Sequence, residues 1–313
     1  MKRWMWWVLG FLGLALALRV AVHFPWRATG AALVGVDIWL LCAALLLNLV
    51  SPLAKAWGWH LLLLPVAPNR WWVAQEANLV GTAVNIIGVG VSGEAARISV
   101  LSQRDKVPVR AAILSVVGAR VVEALGLALF VVLAPLALEL SPALRGLQIG
   151  AAVALATVLV MARFPVWGRL VARLPTGVRV GVNELAQMGL GWRLVTPTAL
   201  AVVNWAAQLG TYHMVLRATH LDVSYAASFT ALIAVNLGGI IRVTPANVGV
   251  MQAAMAGALL PFGIPAERAV AAGLALQAIQ VLPILAGGAA LLGRTGLKRL
   301  IALAEEEGLS QPT

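Results

Sequence analysis

The sequence predicts an all-α polytopic membrane protein, with about six full transmembrane helices and two re-entrant broken hairpins arranged as an inverted-topology repeat. Three observations predict it. Of 313 residues, 61% are hydrophobic and 11% charged, against roughly 45–50% and about 25% in an average soluble domain. The basic residues fall between apolar runs rather than along them, and two long apolar stretches are broken in the middle by glycine and proline. With a mean hydropathy of +0.91, the chain has too few polar side chains to cover a water-soluble core, so lipid solvates much of its surface.

A helix crossing a hydrocarbon layer of about 30 Å needs about 20 apolar residues at 1.5 Å each. Six stretches qualify: residues 4–22, 36–57, 111–138, 144–162, 194–216 and 268–292. Met1-Lys2-Arg3 ahead of the first resembles a secretion signal, but no small-residue cleavage site follows it, so it is read as a retained first helix. Residues 71–101 are interrupted by Gly88, Gly90 and Gly93, and residues 223–262 by Gly238, Gly239, Pro245 and Gly249. Non-helical backbone at membrane depth survives only where protein buries it or a wet cavity bathes it, so each stretch reads as a hairpin that enters and returns.

Charge tests that reading. Lys55 and Arg70 precede the first broken stretch, and Arg97, Arg104, Lys106 and Arg110 follow, as though both ends face the cytoplasm. Arg163, Arg169, Arg173, Arg179 and Arg193 form a second basic block, and Arg294, Lys298 and Arg299 a third, before an acidic tail at Glu305, Glu306 and Glu307. All three blocks agree if the first hairpin enters from inside and the second from outside an inner membrane, with both termini cytoplasmic. The net charge of +11 then reports topology and contact with anionic lipid, and nucleic acid is excluded as a partner.

A faint repeat supports the same layout. Lys106-Val107-Pro108-Val109-Arg110-Ala111-Ala112 recurs in outline as Gly263-Ile264-Pro265-Ala266-Glu267-Arg268-Ala269, which matches Arg120 to Gln277 and Glu123 to Gln280. The chain is thus one membrane domain, residues 1–313, with a first repeat over about 1–140, a second over about 141–295 and a tail at 296–313. Each half holds three crossings and a hairpin; three is odd, so the second half is inverted relative to the first.

Charges inside membrane helices cost roughly 2.5–3.5 kcal/mol each on insertion scales and require a reason. Glu94 and Arg97 are three apart, as are Arg120 and Glu123, and helical spacing puts each pair on one face. Together they would form a four-charge cluster able to grip a phosphate through its guanidiniums. The plainer reading is mutual neutralisation that pins hairpin to helix. Arg242, Asn247 and Gln252 surround the Thr244-Pro245-Ala246-Asn247-Val248-Gly249 turn of the second hairpin. A half-helix starting after that turn offers free amides and a positive dipole end to an anion, unless Arg242 simply snorkels to an interface. Asn78, Asn85, Asn204, Gln208, Gln277 and Gln280 read as hydrogen-bonding glue between helices.

No catalytic pattern is present: no nucleophile elbow, no His-Glu-x-x-His helix and no phosphate loop with lysine. Cys42 is the sole cysteine, which excludes an intrachain disulfide and a cysteine metal site. The expectation is a protein that is not an enzyme and holds no cofactor or metal.

These residues resemble the membrane region of the lysylphosphatidylglycerol synthases, a flippase-like domain. The resemblance rests on Gly93-Glu94 with Arg97 after a glycine-broken segment, Arg120 with Glu123 about two dozen residues on, and Thr244-Pro245 with Gly249-Val250 in the second half. It implies movement of a phospholipid or polyprenyl-phosphate lipid between leaflets. Two departures qualify it: Gln252 stands where the family often has an acidic residue, and no aminoacyl-transfer domain follows before Thr313.

The leading expectation is therefore a lipid translocase that binds a phosphate-bearing headgroup through Glu94, Arg97, Arg120, Glu123, Arg242, Asn247 and Gln252. An ion-coupled carrier of a small solute, or a non-transporting subunit partnering enzymes of envelope lipid and glycan assembly, are the alternatives.

Overall fold

The computed structural model describes residues 25–88, 92–138, 142–163, 192–239 and 244–295. The expected first helix at 4–22, Gly90, the basic residues Arg169, Arg173, Arg179, Lys298 and Arg299, Arg242 and the acidic tail lie outside the described residues. Every regular element among those described is helical.

A short α1 (Trp26–Leu33) leads into α2 (Ile38–Leu63), which Asp37 caps by accepting from Trp39 N–H at 2.9 Å and Leu40 N–H at 3.1 Å. Two shorter helices follow, α3 (Trp71–Ile87) and α4 (Ser92–Arg104), and then the long α5 (Val109–Leu133). The second half runs α6 (Pro142–Arg163), α7 (Trp192–Ala218), the short α8 (Tyr225–Gly238) and α9 (Val250–Leu259), and the long α10 (Ala266–Thr295). Among the described residues, three stretches, Ile38–Leu63, Val109–Leu136 and Ala266–Leu291, are long and apolar enough to cross a membrane.

The broken segments are helical hairpins. Arg70 donates from its backbone N–H to Asp105 Oδ2 at 2.6 Å and from Nε to Asp105 Oδ1 at 2.8 Å, which closes the open end of α3 and α4. Arg104 reaches Glu76 at 2.9 Å one turn further in. Near the start of α4, a Cβ on Gly81 would lie 2.6 Å from Gly93 O, so the two backbones touch where only glycine fits. The arms hold 17 and 13 residues, about 26 and 20 Å, and those of the second hairpin 14 and 10, about 21 and 15 Å. All four are shorter than the hydrocarbon layer of about 30 Å.

The two hairpins start at opposite ends of the bundle. Helices α2 and α7 lie antiparallel, with Asp37 N–H bonded to Ala218 O at 3.0 Å and Ser51 Oγ to Asn204 Oδ1 at 2.6 Å. The first hairpin starts just beyond the C-terminal end of α2 and the second just beyond that of α7, hence at opposite ends. Each is seated in its own apolar cluster. Trp59, Leu63, Val80, Val100 and Leu101 pack around the first, and Tyr212, Leu216, Leu232, Met255 and Leu276 around the second.

Helix α2 is apolar on its outer face and polar on the face toward the cavity. On α2, Leu46, Leu49, Leu53 and Trp57 are exposed, while Asn48, Ser51 and Lys55 on the opposite face line a cavity. A soluble bundle has the reverse arrangement. On α5, Ile113, Val117 and Val121 are exposed, and Arg120, itself about half exposed, lies on the same side of the helix and reaches the cavity wall together with Glu123.

Candidate functional site

A cavity of about 330 Å³ lies between the two hairpins, walled by α2, α3, α4, α5, α7, α10 and the turn of the second hairpin. Local helical geometry brings its charges together. Three-residue spacing puts Glu94 beside Arg97, with Oε2 3.3 Å from Nη1, and Arg120 beside Glu123, with Nη1 3.4 Å from Oε2. The packing of α4 on α5 joins the pairs: Arg120 Nη2 donates to Glu94 Oε1. The expected four-charge cluster therefore exists. Arg97, Arg120 and Glu123 line the cavity, and Glu94 holds both guanidiniums.

Arg97 is the deepest of these charges. Its Nη2 donates to Thr82 Oγ1 at 3.2 Å, its Cζ lies 5.9 Å from the centre of the Trp59 ring, and its Nε is buried without a partner among the described residues. Such a cation, held by one shared carboxylate, a hydroxyl and an aromatic face, has electrostatic capacity left for an anion.

A fifth charge joins them. Lys55 Nζ lies 3.9 Å from Glu123 Oε1. From sequence, Lys55 counts with Arg70 as part of the basic flank of the first hairpin, at the end of the 36–57 stretch. Helix α2 continues to Leu63 regardless, because backbone hydrogen bonding, not hydropathy, decides where a helix stops, and Lys55 faces the cavity instead. Two prolines shape the same wall. Pro283 has no N–H for the carbonyl of Ile279, which accepts from Asn48 Nδ2 at 3.2 Å instead. Pro52 lines the cavity directly, and its own carbonyl accepts from Asn78 Nδ2 at 3.1 Å.

The second hairpin contributes Thr244, Ala246 and Asn247 to the wall. Its turn is held in left-handed backbone at Ala246 (φ 53°) and Asn247 (φ 55°), a conformation that asparagine tolerates better than alanine. Asn247 Oδ1 is buried without a partner among the described residues. Gln252 is not on the wall. Its Oε1 accepts from Gly249 N–H at 2.7 Å and its Nε2 donates to Gln277 Oε1 at 2.7 Å, while Gln277 donates to Ala246 O at 2.8 Å. That chain pins the turn and uses the Gly249 amide, so the helix start expected to offer this amide to an anion is already capped at that position. Arg242 lies outside the described residues.

Several polar residues read as glue are part of the wall. Asn78, Asn85, Gln208 and Gln280 line the cavity, whereas Asn204 and Gln277 bond within the protein, as expected of glue. The signal that could have found the wall was on α2, where Asn48, Ser51 and Lys55 recur every three or four residues on one face of an apolar helix. Among the described residues, no group of three or more His, Cys, Asp or Glu side chains could hold a metal ion.

No curated protein matches the chain. The family model described as the lysylphosphatidylglycerol synthase TM region matches residues 6–288, a span that includes both hairpins and every charge of the cluster. The protein belongs to the family of the lysylphosphatidylglycerol synthase transmembrane region.

Proposed function

We propose that this protein moves a phosphate-bearing membrane lipid between leaflets, with the headgroup passing through the cavity between the hairpins while the acyl chains stay in the bilayer. The observation that carries this reading is the convergence of Arg97 and Arg120 on one shared carboxylate at the cavity wall. Lys55, Arg97 and Arg120 face Glu94 and Glu123, which leaves one positive charge in excess, the complement of a singly charged phosphodiester. Guanidiniums suit that ligand because their planar forks meet phosphate oxygens two at a time.

The architecture supports alternating access. Helix α2, the first hairpin and α5 correspond in order to α7, the second hairpin and α10, and Pro108 and Pro265 begin corresponding helices just beyond each hairpin. We read this as the inverted repeat of about six crossings and two re-entrant hairpins, set in an inner membrane with both termini cytoplasmic. The polar residues act by binding and not by bond-making chemistry, so the protein works as a carrier and not as an enzyme. Enzymes that make or use the lipid for envelope assembly are its expected partners.

Reconstituted proteoliposomes with a headgroup-labelled anionic phospholipid test the proposal. Transfer of label between leaflets should exceed that of protein-free vesicles and fall toward their rate in Arg97→Ala and Arg120→Ala. Transfer unchanged in both variants would remove the cluster from the mechanism.

A further inference from the structure

We propose that the polar face of α3 continues the cavity to the end of the bundle where the first hairpin opens, as a path for water that Trp71 closes in this structure. The inference goes beyond the lipid-phosphate reading and holds whatever polar ligand the cavity takes. It begins with spacing. Trp71, Gln75, Asn78, Thr82 and Asn85 follow one another at steps of four and three residues. At 3.6 residues per turn all five fall within about 80° of the helix circumference, a stripe about 21 Å long. No aliphatic residue of α3 shares it: Val73, Val80, Val84 and Ile87 lie on other faces.

The inner part of the stripe is accounted for. Asn78, Thr82 and Asn85 line the cavity, and each is bonded. Asn78 Nδ2 donates to Pro52 O at 3.1 Å, Thr82 Oγ1 accepts from Arg97 Nη2 at 3.2 Å, and Asn85 Oδ1 accepts from Gly93 N–H at 3.1 Å. The outer part is not. Gln75 and Trp71 are not on the cavity wall, yet Gln75 Oε1 and Trp71 Nε1 are buried without a partner among the described residues. An acceptor and a donor left over one turn apart on one face are what a file of waters joins, since water donates to the first and accepts from the second.

The stripe ends among exposed charges. Arg70, directly before α3, pairs with Asp105, and Arg104 pairs with Glu76, and both arginine side chains are exposed. Between the cavity and this rim stands Trp71, whose ring meets Trp57 and Trp72 edge-on, with centroids 5.9 and 4.3 Å away. A tryptophan that only belongs to an interfacial belt turns its N–H to the headgroups. The N–H of Trp71 is buried instead, which sets the indole across the stripe. Displacing that one side chain connects the cavity, with Arg97 and Arg120 on its wall, to water at a single end of the bundle.

The test reads cysteine modification of the full chain in membrane vesicles of both orientations, in a Cys42→Ser background. The probe is a membrane-impermeant quaternary-ammonium methanethiosulfonate. Gln103→Cys, exposed at the open end of the hairpin, marks the side, and Leu49→Cys, exposed on the outer face of α2, sets the rate of a position in lipid. From the side that modifies Gln103→Cys, Gln75→Cys should react at least about tenfold faster than from the other side and than Leu49→Cys, about 1.4 kcal/mol in barrier. Adding Trp71→Ala should raise the Gln75→Cys rate a further few-fold and leave Leu49→Cys as before. If Gln75→Cys does not melt cooperatively, Asn78→Cys, one turn further in, decides by the same comparison. Faster modification from the opposite side, or modification no faster than Leu49→Cys with and without Trp71, overturns the path. A rate unchanged by Trp71→Ala overturns its closure by Trp71. Neither result depends on lipid transfer, so this inference and the lipid-phosphate reading fail separately.

Discussion

Glu94 and Arg120 are hydrogen-bonded across the gap between α4 and α5, and the same carboxylate holds Arg97 through its other oxygen. One acidic residue thus sets the position of two guanidiniums on different helices. Their coupling should be visible in stability. Singly, Glu94→Gln and Arg120→Gln each lower the melting point of the purified protein, and the double variant loses less than the two added together. The expected coupling is about 0.5–3 kcal/mol. Strict additivity would mean that the contact does not organise the cluster.

The close approach of Gly81 and Gly93 positions Arg97. A Cβ at Gly81 would lie 2.6 Å from Gly93 O and 2.9 Å from Arg97 Nε, so Gly81→Ala forces α3 and α4 apart. A loss of about 1–3 kcal/mol is expected, as for other overpacked sites, together with weaker phosphate-lipid binding as Arg97 shifts. Gly30→Ala is the control, because nothing lies within 4 Å of a Cβ there; its melting point should equal or slightly exceed that of wild type, since alanine favours a helix over glycine.

The turn of the second hairpin depends on Gln252. In Gln252→Ala the Gly249 N–H and Gln277 Oε1 both lose their partners, and leaving a buried polar group unpaired costs about 1–3 kcal/mol. Thermal melting should show that loss. Hydrogen exchange should also quicken at Gly249 and Asn247, because the amides of the turn open more often once the chain through Gln277 to Ala246 is cut.

Lys55 belongs to the site that the arginines form. Replacing it with methionine keeps the length of the side chain and removes one positive charge next to Glu123. Lys55→Met should therefore reduce lipid transfer in proteoliposomes by about tenfold while the protein still melts cooperatively, tenfold being about 1.4 kcal/mol. Transfer equal to wild type would assign Lys55 to neutralising Glu123 alone.

Much of the helical layout was legible in the sequence, because runs of apolar residues and their interruption by glycine reflect burial in lipid and backbone geometry directly. The all-helical class, both broken segments and the pairing of Glu94 with Arg97 and of Arg120 with Glu123 follow from composition and three-residue spacing, whereas the meeting of the two pairs depends on the packing of α4 on α5. The wall opposite them was not legible. Asn78 at the cavity and Gln277 within the protein look alike in sequence, since an amide that ties helices together and one that faces a ligand differ only in where its second atom points. Lys55 was missed because a basic residue near the end of an apolar stretch reads as a flank, and only the packed helix shows that it faces the cavity. Gln252 was placed at the site because it adjoins the turn, and its two bonds show that it serves the turn instead. Short α1 escaped notice for lack of length, though Thr29 fastens it to α10 through Glu267 O at 3.3 Å.

The central claim is that a lipid phosphate sits between Arg97 and Arg120. An experimental density map of the protein in nanodiscs of phosphatidylglycerol tests it most directly. The account predicts headgroup density in the cavity, with phosphate oxygens within about 3 Å of both guanidiniums, the usual span of a charge-assisted hydrogen bond, and loss of that density in Arg97→Ala. Lipid density confined to the outer faces of α2 and α5, with the cluster still closed upon Glu94, would contradict it.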